Sequence, residues 1–311
     1  MNLAQQGAAG RRMATVRRIA ELRAEVAAWR RSGGCIGVIP TMGALHAGHM
    51  ALVEAARAGC DHVIATIFVN PKQFNRSDDL ASYPRDEAGD AAKLSAAGVD
   101  ILFAPPPEEV YPAGFETRVS VPDLSDCLCG RSRPGHMDGV ATVVTKLFLM
   151  TAADRAFFGE KDYQQLLIVK RLARDLDIPV EVVPVATVRD ADGLALSSRN
   201  ALLNSEQRAR APAIYRILRA VAERLQLGQG SAAAILDWGR GELLRVGIER
   251  LDYLELRCCD SLEELTAPDR PARLFVAGWI AEVRLIDNVA VPARGNATVP
   301  ARDNTAVPAR Q

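Results

Sequence analysis

The stretch CIGVIPTMGALHAGHMALVEAARAGCDHVIATIFVN, residues 35–70, carries the pattern from which the architecture follows. Its first six residues form an apolar run with β-branched side chains, stopped by Pro40, and read as a buried strand. HMALVEAARAG (49–59) has helical periodicity and closes on Gly59. HVIATIFVN (62–70) is strand-like again. Strand, helix and strand within about 35 residues make a βαβ unit, which implies parallel strands and a right-handed crossover. The alternation continues with a helix over 85–98, a strand over 99–105, a helix over 139–151, a short strand over 155–159, a helix over 162–176 and a strand over 179–188. This pattern predicts an α/β fold, a doubly wound Rossmann-like parallel sheet.

Outward from that unit, residues 1–13 read as a loose extension. Ile19, Leu22, Val26 and Trp29 recur at helical spacing in the segment that follows. Arginines interrupt every apolar run near the start, so no secretory signal is read there. Residues 107–139 are long, rich in proline and glycine, and read as an irregular functional loop, often a lid. Residues 14–188 form the Rossmann-like unit, and the texture changes after that. Residues 189–289 read as a small α+β C-terminal domain, with strands at LDYLELRCC, ARLFVAGWI and EVRLIDNV and a capping box from Asn204 to Gln207. Residues 290–311 repeat VPAR with a period of eight and read as disordered low-complexity sequence.

Bulk properties exclude several function classes. The 311 residues carry 38 Lys and Arg against 38 Asp and Glu, so the net charge is zero and neither nucleic acid nor a membrane surface is an expected partner. No apolar run approaches the ~20 residues of a membrane helix. The six cysteines form no pair of CxxC motifs, which weakens a zinc reading, and they suit a reducing, cytoplasmic setting.

The chemistry-bearing segments lie where strands end. Ligands of doubly wound sheets bind at the C-terminal ends of strands. PTMGALHAGH (40–49) lies there, with Gly43 and Gly48 permitting close backbone approach, and a helix N-terminus that attracts an anion. His46 and His49 share a face at that helix start and can both reach one phosphate as imidazolium donors. The ordinary alternative is a capping histidine beside an exposed one. In FVNPKQF (68–74), Asn70 and Gln73 offer amides to a hydroxy acid, although alone this is a common strand-ending turn. FFGEKDYQQL (157–166) places Lys161 where a triphosphate would lie if this turn faces the first. A solvated Lys-Asp pair is the alternative. Of Gln164 and Gln165 only one is expected to face inward. GLALSSRN (193–200) adds hydroxyls, backbone amides and Arg199. Together these turns predict a site for a nucleoside triphosphate. With no GxxxxGK[ST] and no GxGxxG, neither a P-loop nor a dinucleotide site is expected.

PTMGALHAGH, FVNPKQF, YPRD, RPGHMDGV, FFGEKDYQQL, DGLALSSRN and DYLELR stand here in the order found in the pantoate–β-alanine ligase (pantothenate synthetase) family, and the resemblance covers roughly residues 14–289. His46-Ala47-Gly48-His49 resembles the HIGH signature of the nucleotidyltransferase superfamily, and the Ser197-Ser198-Arg199 turn resembles the KMSKS loop. The resemblance implies that ATP and pantoate give pantoyl adenylate, which β-alanine converts to pantothenate and AMP, with Mg²⁺ accompanying ATP in a cytoplasmic homodimer. It implies catalytic roles for His49 as proton donor, for His46 and Lys161 as stabilisers of the pentavalent α-phosphate, and for Arg199 as a mobile positive charge. It places ATP against Met42, Gly43, Ala44, Leu45, His46, Ala47, Gly48 and His49. It also places ATP against Gly159, Glu160, Lys161, Asp162, Val188, Leu196, Ser197, Ser198 and Arg199. Pantoate or β-alanine falls to Gln73, Gln165, Asn70 and Pro40, and the metal region to Asp90.

Three positions depart from the family pattern. Cys129 stands where a glutamate is common, Ala47 where an acidic residue is frequent, and Lys72 is unusual between Pro71 and Gln73. Another HIGH-type nucleotidyltransferase, or a nucleotide-binding regulatory protein without catalysis, would share part of the pattern. The glutamines argue against the first, and the intact His46, His49, Lys161 and Arg199 against the second.

Overall fold

The computed structural model of the chain describes residues 13–75 and 77–294. A six-stranded sheet comprises β1 (Ala14–Val16), β2 (Ile36–Ile39), β3 (His62–Thr66), β4 (Ile101–Phe103), β5 (Arg155–Gly159) and β6 (Glu181–Val185), in the order β1-β4-β3-β2-β5-β6. Every pairing is parallel. All four residues of β2 are buried, as for a strand covered by helices on both faces. Pro184 sits in β6, an edge strand, where a residue without an N–H is tolerated.

The strand order reverses at β2. From there the chain goes outward through β3 and β4, then returns to the other side of β2 as β5 and β6. The crevice outside the carboxyl ends of β2 and β5 is therefore the topological switch point. Helices Ile19–Arg31, Ala47–Gly59, Glu87–Ala96, His136–Thr151 and Tyr163–Asp175 accompany the sheet. Ile39, Val63, Leu102 and Phe157 centre one apolar cluster, and Ile36, Ile64, Phe103 and Phe148 belong to another.

The second sheet is antiparallel: β7 (Arg250–Cys258), β8 (Ala272–Ile280) and β9 (Val283–Val291). Helices Ala213–Leu227 and Ala232–Arg245 pack against it around Leu218, Val221, Leu254 and Leu274. The expected capping box is present, with Asn204 and Gln207 exchanging hydrogen bonds of 2.9 Å.

Several expectations are corrected. Residues 107–139 are not an irregular loop. They hold the short helices Pro107–Val110, Pro122–Ser125 and Leu128–Ser132 and the start of His136–Thr151. Leu124 and Leu128 are fully buried in the main core, so this segment packs as structure. Gly59 does not end its helix in a left-handed turn; it is the last helical residue, and Cys60 leaves in an extended conformation. β1 lies in a stretch with no strand reading, and helix Ala232–Arg245 in one with no helix reading. Val291 ends β9 and Arg294 donates to Leu225 O at 2.9 Å, so a tail drawn from 290 begins too early. The rest of that tail, and residues 1–12, lie outside the described residues.

Candidate active site

A cavity of about 280 Å³ occupies the switch-point crevice and extends toward the C-terminal sheet. Its first wall is the turn after β2. Thr41 pins the start of that turn: its N–H donates to Thr66 Oγ1 at 3.2 Å, while Gly43 N donates to Thr41 Oγ1 at 3.2 Å. The chain then reverses with Gly43 at φ 86° and Ala44 at φ 53°. A Cβ on Gly43 would stand 3.3 Å from Asp90 Oδ2, so both conformation and space favour glycine. Pro40, Met42, His46, Gly48 and His49 line the cavity. Gly43, Ala44, Leu45 and Ala47 shape the turn without lining it.

Asp90 is placed differently from its expected metal role. It is 1% exposed beneath the turn, where Oδ1 accepts from Leu45 N at 2.9 Å and faces Lys93 Nζ at 3.2 Å. It does not line the cavity, and among the described residues no group of three or more His, Cys, Asp or Glu could hold a metal ion. Asp90 is thus a brace for the histidine-bearing turn.

His46 is the N-cap of helix Ala47–Gly59, and His49 is its third residue. Gly48 N donates to His46 Nδ1 at 3.2 Å, and His46 N donates to His49 Nδ1 at 3.3 Å. An amide can only donate, so both Nδ1 atoms are acceptors and each neutral ring carries its proton on Nε2. The ring centroids are 4.1 Å apart. Burial, aided by Lys161, lowers His46 to about 4, and burial, aided by His46 and Lys161, lowers His49 to about 3. The protein's own groups therefore do not by themselves make imidazolium donors. Among the protein's own groups both rings are neutral, and their donors are Nε2–H groups.

The opposing wall is the turn after β5. Gly159, Lys161 and Asp162 line the cavity. Lys161 Nζ stays 3.9 Å from Asp162 Oδ2, with its side chain 18% exposed, so it is a cavity cation and not a solvated surface pair. Glu160 turns away, pairing with Arg273 at 3.6 Å. Asn288 Nδ2 donates to the carbonyls of Glu160 at 3.0 Å and Lys161 at 2.9 Å, so β9 holds this turn. Val188, Leu196, Ser197, Ser198 and Arg199 complete this side. Ser198 Oγ donates to Ala44 O at 3.1 Å and ties the third turn to the first, while Arg199 lies 3.4 Å from Asp79.

Gln164 and Gln165 both line the cavity, against the expectation that only one faces inward, and they differ in what their amides meet. Gln164 Nε2 donates to Leu124 O at 2.8 Å and Cys127 O at 2.9 Å, and Gln164 Oε1 accepts from Cys129 N at 3.0 Å. Its amide is consumed in anchoring residues 124–129. Gln165 lines the cavity. Gln73 also lines it, whereas Asn70 does not; Asn70 is 1% exposed and bonded behind Gln73, which corrects its expected substrate contact.

Among the lining residues that sequence reading missed are Arg133, His136, Cys129 and Arg284. The RPGH run was a usable signal for the first two. His136 Nδ1 lies 2.7 Å from Gln73 O and Nε2 lies 3.2 Å from Arg133 Nη1, so Nδ1 donates and Nε2 accepts. Burial, then the Arg133 cation, lowers His136 to about 3. Burial also pulls Arg133 below the usual guanidinium range, reinforced by Arg199 and Arg284. Cys129, in place of the common glutamate, puts Sγ 3.1 Å from Tyr253 OH and 3.5 Å from Arg284 Nη1. Cations gathered around a partly apolar cavity make a receptor for a polyanion.

The sequence model of the family described as pantoate-beta-alanine ligase matches residues 14–290. Pantothenate synthetase of Chelativorans sp. is 58% identical over 275 residues, covering 88% of this chain and 96% of the relative. That of Ruegeria pomeroyi is 55% identical over 276 residues, covering 89% and 96%. The crystal structure of pantothenate synthetase from Thermus thermophilus superposes with a TM-score of 0.84 at 51% identity, covering 90% of this chain and all of that one. The pantoate-beta-alanine ligase of Francisella tularensis, crystallised with beta-gamma ATP and beta-alanine, superposes with a TM-score of 0.76 at 35% identity, covering 89% and 97%.

Proposed function

The chain belongs to the pantoate–β-alanine ligase family, and on that premise we propose how its own residues carry the ATP-dependent joining of pantoate to β-alanine. A carboxylate is a poor acyl donor, so the reaction runs through an adenylate. A pantoate carboxylate oxygen bonds to the α-phosphorus of ATP while the bond from that phosphorus to the bridging oxygen breaks and pyrophosphate leaves. The neutral amine of β-alanine then bonds to the acyl carbon, the bond from that carbon to the phosphate oxygen breaks so that AMP leaves with its electron pair, and the nitrogen gives up one proton to solvent, leaving pantothenate.

The observation that carries the assignment is the facing of the two turns at the switch point, with His46 and His49 on one wall and Lys161 on the other of a single cavity. Their Nε2–H groups and the ammonium donate to the phosphate oxygens on which charge grows during the transfer. The arriving triphosphate raises both histidine pKa values, because a nearby anion favours the charged ring. His49 then acts as the donor the family resemblance implies. Arg199 neutralises the departing pyrophosphate, and the Ser197–Arg199 amides and hydroxyls surround it. Gln73 and Gln165 hold pantoate. In the second step the enzyme mainly places the neutral amine beside the anhydride.

We include Mg²⁺ with ATP. A cation that keeps its waters and takes most remaining oxygens from phosphate needs no dedicated protein cage, which fits the lack of an acidic cluster among the described residues. Its contribution is neutralisation of triphosphate charge, and Asp162 is the cavity-lining carboxylate available to it. A cytoplasmic homodimer belongs to the same proposal. No helix among the described residues is long and apolar enough to cross a membrane.

Exchange of labelled pyrophosphate into ATP, without β-alanine, tests the first step. Exchange should require pantoate, and His49→Ala should slow it by on the order of 10²-fold. Exchange independent of pantoate would overturn the substrate assignment, and wild-type exchange in His49→Ala would remove His49 from the chemistry.

A further inference from the structure

Gln73 reaches the cavity from a single turn, Pro71–Gln73, after β3. An amide side chain presents either a donor or an acceptor, and which one faces the substrate decides what it can recognise. Here the choice is made by Asn70 behind it. Asn70 touches two backbone groups of fixed polarity. Lys72 N can only donate, and it meets one end of the Asn70 amide at 3.3 Å; Gly139 O can only accept, and it meets the other end at 3.0 Å. The first end is therefore Oδ1 and the second Nδ2. Nδ2 also donates to Gln73 at 2.9 Å, so that atom of Gln73 is Oε1. Gln73 Nε2 is left facing Met42 Sδ at 2.9 Å, a weak acceptor that a substrate oxygen outbids.

The remaining bond of Asn70 comes from Tyr111, whose hydroxyl donates to Oδ1 at 2.8 Å. Burial pushes that hydroxyl above its ordinary range, so it stays protonated and a donor across physiological pH. Its ring is held by Phe115, with centroids 5.0 Å apart, and by Lys72 Nζ, 5.2 Å from the Tyr111 centroid. Tyr111 itself does not line the cavity.

We infer that Tyr111 is a positioning residue for the acid substrate: its hydroxyl adds a third hold to the two backbone groups that set Asn70, and so helps keep the Gln73 amide with its NH₂ group, and not its carbonyl, facing the cavity, where it selects a carboxylate or hydroxyl oxygen. The inference rests on the assignment of Gln73 to pantoate made above. Tyr111→Phe keeps the ring and its packing and removes only the donor.

The test is the pantoate and ATP dependence of wild type, Tyr111→Phe, Gln73→Ala and the double variant. Tyr111→Phe should raise the pantoate KM roughly three- to tenfold, the worth of one buried hydrogen bond. It should leave the ATP KM alone and have no further effect once Gln73 is alanine. Asn70→Asp, of equal volume but unable to donate, should turn the Gln73 amide round and raise the pantoate KM at least as much, which carries the test if Tyr111→Phe folds poorly. An equal effect of Tyr111→Phe in the wild-type and Gln73→Ala backgrounds, or an equal rise in both KM values, would overturn the relay while leaving Gln73 in place. An unchanged pantoate KM in Gln73→Ala would overturn the assignment of Gln73, and the relay with it.

Discussion

His46, His49 and His136 differ from ordinary surface histidines in being pushed down to about 4, 3 and 3. Each is neutral in the folded chain where an unfolded histidine, near 6.5, would already be charged. Between about pH 6.5 and pH 4 the unfolded chain therefore binds more protons, so stability rises with pH and is lost as pH falls through that window. The melting temperature should drop on acidification below about pH 6.5. His136→Gln, which has no such proton to take up, should show a shallower drop; an identical slope in the variant would mean that His136 charges freely in the native state. The same burial explains why the sequence alone suggests imidazolium. HAGH shows the spacing of two rings, but neither Lys161 nor the desolvating walls are adjacent to it in the chain.

At the scale of elements, the short helices of 107–139 and the C-terminal sheet support each other. Arg131, on helix Leu128–Ser132, pairs with Glu255 on β7, and Glu255 in turn bonds Arg257 Nε at 2.6 Å. Arg257 also donates to Leu262 O at 2.6 Å and is 6% exposed. Removing the carboxylate leaves that buried guanidinium with only the more distant Glu264, 3.9 Å away, as counter-charge, a loss of up to about 3 kcal/mol. Glu255→Ala should lower the denaturant midpoint accordingly, and proteolysis should then cut first between residues 120 and 135. A midpoint within experimental scatter of wild type would show that solvent reaches Arg257. Proline and glycine density makes this region read as a loop. Its helices are too short for periodicity to register, and what orders them is Gln164, Arg131 and the burial of Leu124 and Leu128.

Across the whole molecule, the two sheets are coupled through the turn that carries Lys161. Asp287 on β9 holds Arg189 with bonds of 2.7 and 2.9 Å, and its neighbour Asn288 holds the carbonyls of Glu160 and Lys161. The cation that faces the two histidines is thus positioned by the far end of the chain. Asn288→Ala should slow pyrophosphate exchange about tenfold, as a small misplacement of a transition-state group does. The ATP KM should rise more than the pantoate KM. Equal changes in both constants would place Asn288 outside the ATP side.

Read alone, the sequence shows the parallel sheet except for β1, the three C-terminal strands though not their antiparallel pairing, and the turns that end β2 and β5. These follow from local periodicity, apolar runs and punctuation by proline and glycine, all readable within a few residues. It also carried the lining positions of His46, His49, Lys161, Gln73, Gln165 and Arg199, since their motifs are contiguous. That Asn70, Asp90, Glu160 and Gln164 act as braces, and that Arg133, His136, Cys129 and Arg284 reach the cavity, follows from packing alone. Each of those outcomes depends on which atoms a side chain's hydrogen-bonding groups meet, and those partners are distant in sequence: Gly139 for Asn70, Leu45 for Asp90, Arg273 for Glu160 and Leu124 for Gln164. A polar side chain's chemistry is local, but whether it is already satisfied is a property of the packed fold.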